Sequence, residues 1–195
     1  MFSDSRLILK LWLKNPMKIG TVAPSSPELA SAMARHIPHH GDGYVVELGG
    51  GTGPVTRAIL EAGVPPDRLI VIERDPVLHK HLAERYPNVR VLLGDAMHLQ
   101  QLLRREDIAP VRAVVSSLPL LVMKKAIQHR IGAQIFAVLE PDAPLIQFTY
   151  GLFSPIKNRR RLGVSGAVKD RVLQNLPPAS VWLYRRGRGG EKRAA

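Results

Sequence analysis

The 195-residue chain predicts an α/β fold, a mostly parallel sheet covered by helices on both faces, and three observations carry that prediction. Short apolar runs, YVVEL, RLIVIE, VRVLLG, VRAVVSS and PLIQFTYG, recur between helix-patterned segments, the rhythm of parallel strands joined by crossover helices. Each run is nearly continuous in Val, Ile and Leu rather than alternating, as strands buried on both faces require. The C-terminal stretch GAVKDRVLQNLPPASVWLYRRG reads instead as two strands joined by NLPPAS with no helix between them, so one strand there runs antiparallel.

Taken in order, Arg6 to Leu13 reads as a short helix, with Arg6, Lys10 and Lys14 on one face and an apolar body that includes Trp12. Pro16 ends it, and the loop GTVAPSSP leads into a second helix that starts near Ser25 or Ser26, with Pro27 in its first turn and Leu29, Met33 and Ile37 as its buried stripe. The alternating part begins with YVVEL. Helices follow over Pro54 to Ala62, closed by Gly63, from Pro76 to about Arg85, around Leu99 to Arg105, and from about Met123 to Leu139.

A 45% apolar content fills a single core, and the absence of cysteine excludes disulfides and thiolate metal sites. No apolar run approaches the roughly 20 residues that span a bilayer. The net charge of +12 predicts attraction to a polyanion, nucleic acid or an anionic lipid surface, and does not choose between them. The seven histidines are scattered, and His36 and His40 read as surface residues, so no metal is expected.

The site signal is VVELGGGTGPVT. Gly49, Gly51 and Gly53 alternate directly after a strand that ends near Glu47. A dinucleotide loop would need a third glycine at position 54, which is Pro54, and no Gly-Lys-Ser/Thr follows as in a phosphate-binding loop. Glu73 closes the next strand about twenty residues on, where a carboxylate can accept both hydroxyls of a ribose. Asp75 beside it reads as a helix cap, and Asp95 follows the third strand.

This pattern resembles the first motif of class I S-adenosylmethionine-dependent methyltransferases, over about Tyr44 to Arg186. The resemblance implies a Rossmann-like sheet of seven strands, mostly parallel, whose C-terminal hairpin places an antiparallel strand between two others. It also implies that Glu47, Gly49, Gly51, Thr52, Gly53, Glu73, Arg74, Asp95 and Ala96, with Ser25 and Ser26, hold S-adenosylmethionine, Asp95 taking the adenine amine. Where base-methylating relatives carry Asn or Asp and an aromatic, as in N-L-P-Y, this chain has Ser117-Leu118-Pro119-Leu120, which suits a small aliphatic amine better than a flat base.

The N-terminal SRLILKLWLKNPMKIGTVAPSSPELASAM, taken with VVELGGGTGPVT and SSLPLL, is similar to the bacterial phospholipid N-methyltransferases. That resemblance implies methylation of phosphatidylethanolamine and its mono- and dimethyl derivatives at an anionic membrane surface, on the inner face of the cytoplasmic membrane, without nucleic acid or metal. Ser116, Ser117, Leu118, Pro119 and Tyr150 are the candidates for holding the amine. Arg6, Lys10, Trp12 and Lys14 are candidates for the membrane contact, and so are Lys157, Arg159, Arg160 and Arg161. The expected organisation is one domain: residues 1–40 as membrane-binding lid helices, 44–186 as the cofactor-binding core, and 187–195 as a disordered basic tail. An RNA adenine methyltransferase and a non-catalytic nucleoside-binding adaptor are the alternatives.

Overall fold

The computed structural model describes residues 26–39, 41–150, 153–156, 159–175 and 178–186. Arg6, Lys10, Trp12, Lys14, Ser25, His40, Lys157 and the basic tail lie outside the described residues, as does the whole of the first expected helix.

The expected alternation is present: α1 (Pro27–Ala34), β1 (Tyr44–Leu48), α2 (Pro54–Glu61), β2 (Leu69–Glu73), α3 (Pro76–Arg85), β3 (Arg90–Leu93), α4 (Leu99–Arg105), β4 (Val111–Ser116), α5 (Lys125–Val138), β5 (Leu145–Tyr150), α6 (Arg159–Leu162), β6 (Val164–Val172) and β7 (Ala179–Arg186). The seven strands form one sheet in the order β3-β2-β1-β4-β5-β7-β6. Strands β1 to β5 pair in parallel, and β7 runs antiparallel between β5 and β6. The order reverses at β1 and β4, the place where open α/β sheets leave a crevice beyond their carboxyl ends.

Period-two alternation sends each strand's side chains to two separate cores. Val45, Val71, Val115 and Ile146 pack with α1 and α2, whereas Val46, Ile70, Val114 and Leu145 pack with α4 and α5. Leu29 and Met33 are fully buried on the first face, as their stripe predicts, and α1 packs on α2 and against β5, β6 and β7.

Two boundaries differ from the sequence reading. Helix α5 starts at Lys125 rather than Met123, because Leu120–Val122 tighten into a 3-10 turn and Lys124 is extended at the cap. Strand β6 starts at Val164, ahead of the expected GAVKDRV, because the short α6 precedes it and Gly163, at φ +64°, turns the chain into the strand.

Candidate functional site

The glycine loop occupies the turn between β1 and α2. Gly51 adopts φ +58°, where an L side chain is strained, and a Cβ there would meet nothing within 4 Å, so its missing side chain leaves space beyond the loop rather than relieving a packing clash. Gly53, at φ +89°, is enclosed: Tyr86 lies 2.6 Å from its would-be Cβ and donates its hydroxyl to the Gly53 carbonyl at 2.8 Å.

Residues 45, 47, 71 and 73 share the face of α1 and α2, so Glu47 and Glu73 leave the sheet on the same side. Glu47 is fully buried; its Oε2 accepts the Thr56 hydroxyl at 2.7 Å, and its Oε1 has no partner. Burial pushes this carboxyl up to about 7; the Thr56 hydrogen bond opposes the rise and the neighbouring Glu73 adds to it. A buried carboxyl oxygen with no donor, beside a loop open at Gly51, fits a cationic group such as the α-ammonium of an amino-acid moiety.

Glu73 is held firmly. Its Oε1 accepts the amides of Arg74 (2.8 Å) and Asp75 (2.9 Å), and its Oε2 accepts Gly51 N–H at 3.0 Å, which ties the second strand's carboxylate to the glycine loop. Asp75 caps α3, accepting from Val77 and Leu78, as its sequence position predicts. Asp95 is both cap and candidate ligand: Oδ1 accepts the Met97 amide at 2.8 Å, while Oδ2 stands 3.7 Å from the Arg74 guanidinium. Ala96 follows it, nearly buried, and Thr52 is buried within the loop. The structure therefore brings Glu47, Thr52, Glu73, Arg74, Asp95 and Ala96 around the crevice with the glycines.

The acceptor candidates divide between the two faces. Tyr150 ends β5 on the same side as Glu47, edge-on to Phe148 at 5.3 Å between ring centroids. Burial pushes its phenol above the ordinary value, a hydrogen bond with Asn175 opposing it, so the hydroxyl is neutral at physiological pH. Ser116 points to the opposite face and is wholly buried, with the Leu118 amide donating to its Oγ at 3.4 Å. Ser117 Oγ is buried without a partner. Leu118 reaches toward the glycine loop, its Cδ2 lying 3.1 Å from where a Gly49 Cβ would be. Leu120, at the place of the aromatic in base-methylating relatives, is 1% exposed and part of the core.

Ser26 caps α1: its Oγ accepts the Leu29 amide at 3.2 Å and its own N–H donates to Asn175 Oδ1 at 3.2 Å. Arg159 donates to the Gly166 carbonyl at 3.1 Å, and Arg160 and Arg161 are exposed on α6. His36, partly exposed, pairs with Asp170 of β6, which also holds Arg35 at 3.1 Å. Among the described residues no cluster of metal-ligating side chains occurs.

Three contributors escaped the sequence reading. Thr56 fixes one Glu47 oxygen. Asn175, in the β6–β7 turn, links the α1 cap to Tyr150. Gln147 donates to the Leu118 carbonyl at 2.9 Å and so clamps the Ser116–Pro119 segment from β5. Gln147 carried a usable signal, an amide inside an otherwise apolar strand. Asn175 carried none beyond that of a turn residue.

No protein-family model matches the chain. It is 35% identical over 187 residues to an ornithine lipid N-methyltransferase of Singulisphaera acidiphila, covering 93% of this chain and 96% of that one. A ribosomal RNA small subunit methyltransferase A of Maridesulfovibrio salexigens is 43% identical, over only 53 residues, 27% of this chain and 20% of that one. Among solved structures, magnesium protoporphyrin IX methyltransferase from Synechocystis, with bound S-adenosylmethionine, superposes with a TM-score of 0.66 at 11% identity over 95% of this chain and 98% of that one. A TehB-like methyltransferase from Corynebacterium glutamicum gives 0.63 at 13% identity, over 96% of this chain and all of that one (100%). The structural neighbours establish the fold, and the full-length relative the family. On that identity over nearly the whole of both chains, and with the fold its structural neighbours share, the chain belongs to the bacterial class I S-adenosylmethionine-dependent lipid N-methyltransferases.

Proposed function

We propose that the acceptor is the aliphatic amine of a membrane aminolipid. The observation that carries this reading is the segment Ser117-Leu118-Pro119-Leu120: it abuts the glycine loop through Leu118, yet Leu120 is sunk in the core, leaving no aromatic platform there for a flat base. Two lipids offer such an amine. Ornithine lipid, the acceptor named for the relative, is favoured by the 35% identity over nearly all of both chains. Phosphatidylethanolamine, with its mono- and dimethyl derivatives, is the acceptor that the resemblance of GTVAPSSP and SSLPLL implies.

S-adenosylmethionine supplies a methyl group on a sulfonium, already joined to a good leaving group. What is left to the protein is alignment of the amine and exclusion of water. The amine must be unprotonated to attack, and with an ordinary pKa near ~10 it needs a partly desolvated pocket. The buried wall of Ser116, Ser117 and Gln147 contributes that environment. Tyr150, its phenol neutral, orients the amine by hydrogen bonding rather than by taking its proton, and offers its ring face to methylated, cationic products. Glu47, Gly49, Gly51, Gly53, Thr52, Glu73, Arg74, Asp95 and Ala96 hold the cofactor in this reading. Glu47 receives its ammonium, Glu73 its ribose and Asp95 its adenine. Ser26 enters through the α1 cap.

Incubation of the full chain with radiolabelled S-adenosylmethionine and vesicles of ornithine lipid, vesicles of phosphatidylethanolamine with anionic lipid, or unmodified ribosomal RNA tests the reading. Label is expected in one or both lipids. Label in RNA alone would overturn it, and label in none would favour a non-catalytic nucleoside-binding adaptor. The peripheral anchor expected of Arg6, Lys10, Trp12 and Lys14 is tested separately: removing residues 2–14 should abolish vesicle sedimentation and leave cofactor binding measurable. Among the described residues no helix is long and apolar enough to cross a membrane.

A further inference from the structure

Every large apolar side chain exposed among the described residues lies at one end of the sheet. Val77 (51% exposed) opens α3 just after β2, and Leu93 (52%) ends β3. Val122 (80%) stands in the 3-10 turn after β4, Phe153 (79%) follows β5, and Leu173 (77%) is in the β6–β7 turn. The pairing of Tyr150 with Ala179, and of Ala179 with Val172, brings that turn beside the end of β5. Leu121, next to Val122, and Phe153 share the walls of a cavity of about 370 Å3 with Ser154, Ile156 and Arg159. Single exposed apolar residues are ordinary, but their confinement to the mouth of the crevice is not.

Charge points the same way. Exposed Lys124 and Lys125 follow Val122, and exposed Arg171 precedes Leu173. No Asp or Glu occurs between Asp107 and Glu140, or between Asp142 and Asp170. Asp170 itself is paired with Arg35 and His36.

We propose that this rim, Val122, Phe153 and Leu173 with Lys124, Lys125 and Arg171, seats on an anionic bilayer, so that the crevice opens directly onto lipid head groups. The choice of a bilayer as partner rests on the lipid-amine reading. The apolar tips enter the boundary between head groups and acyl chains, while the cations stay at the level of the phosphates. The aminolipid is then lifted only partway out of its leaflet, and the cavity beside Arg159 takes its first methylenes. Docking by the rim is distinct from anchoring by the N-terminal segment, since it fixes which face of the domain meets the membrane.

The test uses the full chain with Phe153→Trp and two sets of vesicles, phosphatidylglycerol with phosphatidylethanolamine and phosphatidylglycerol with ornithine lipid, whose acyl chains carry bromine. Relative to the unsubstituted protein, the added indole should be quenched on binding. The combined variant Val122→Ser, Phe153→Ser, Leu173→Ser should weaken vesicle binding by about tenfold or more, from the area of three apolar side chains, with cofactor affinity retained as proof of folding. Leu173→Trp offers a second position should that variant fail to bind cofactor. An unquenched indole at both positions in vesicle-bound protein overturns the rim. Lipid methylation with no quenching overturns the rim alone and leaves the acceptor reading standing. Quenching without methylation of either aminolipid supports the rim and sinks the acceptor reading.

Discussion

The two halves of the crevice are built differently. On the β1–β3 side the polar groups largely satisfy one another: Glu73 takes three backbone amides, Asp75 two and Asp95 one, and Thr56 holds one oxygen of Glu47. On the β4–β7 side Ser117 Oγ and Gln147 Oε1 are buried without partners, and exposed Val122, Phe153 and Leu173 crown the loops. A site for one invariant cofactor can be preorganised by backbone hydrogen bonds that no ligand needs to remake. The proposed acceptor side, by contrast, leaves polar atoms unspent and apolar surface uncovered. Glu47 Oε1 is the exception on the cofactor side: among the described residues it is a buried carboxyl oxygen there without a hydrogen-bond partner.

The largest expected effect lies in the preorganised half. Glu73→Ala removes a buried carboxylate that charge-assisted hydrogen bonds reach from three amides, and cofactor affinity measured by calorimetry should fall by about 100-fold or more. Vesicle sedimentation should be unchanged. A loss in both measurements would erase the distinction between the halves.

Next is Glu47. Its carboxyl is protonated in both states below about 4.5; between about 4.5 and 7 the unfolded chain releases the proton that the folded one retains. The cofactor-free protein should therefore lose up to about 3 kcal/mol of stability as pH rises through that window, and level off above it. Denaturant unfolding of Glu47→Gln should show this slope removed, and calorimetry in buffers of different ionisation heat should show proton release when wild type binds the cofactor. A wild-type slope that persists in Glu47→Gln would place the titration elsewhere.

Tyr150→Phe probes the other half. Losing one orienting hydrogen bond should lower kcat/KM for the lipid amine by about tenfold. Cofactor affinity should stay within about twofold, the difference between halves appearing as a split between the two substrates. Equal losses for both would mean that Tyr150 supports the fold through Asn175 instead.

Arg74→Ala should do least. Its guanidinium is 69% exposed and 3.7 Å from Asp95, a geometry that contributes about 0.5 kcal/mol or less, visible only as a small rise in cofactor Kd that salt suppresses.

The sequence by itself determined the strand-and-helix alternation, the antiparallel strand, the glycine loop and the carboxylates at the ends of β1 and β2. These are local: period, turn chemistry and spacing along one chain suffice to place them. Boundaries shifted where a neighbouring turn intervened, as at α5, where the Leu120–Val122 turn delays the helix. What only the tertiary structure decided was the partnership of residues far apart in sequence: Asn175 meeting Ser26 and the Tyr150 hydroxyl, Gln147 clamping Leu118, Asp170 gathering Arg35 and His36. It also assigned faces, putting Tyr150 with Glu47 and Glu73 and turning Ser116 to the opposite core, because strand parity becomes a direction in space only when the register of the whole sheet is fixed.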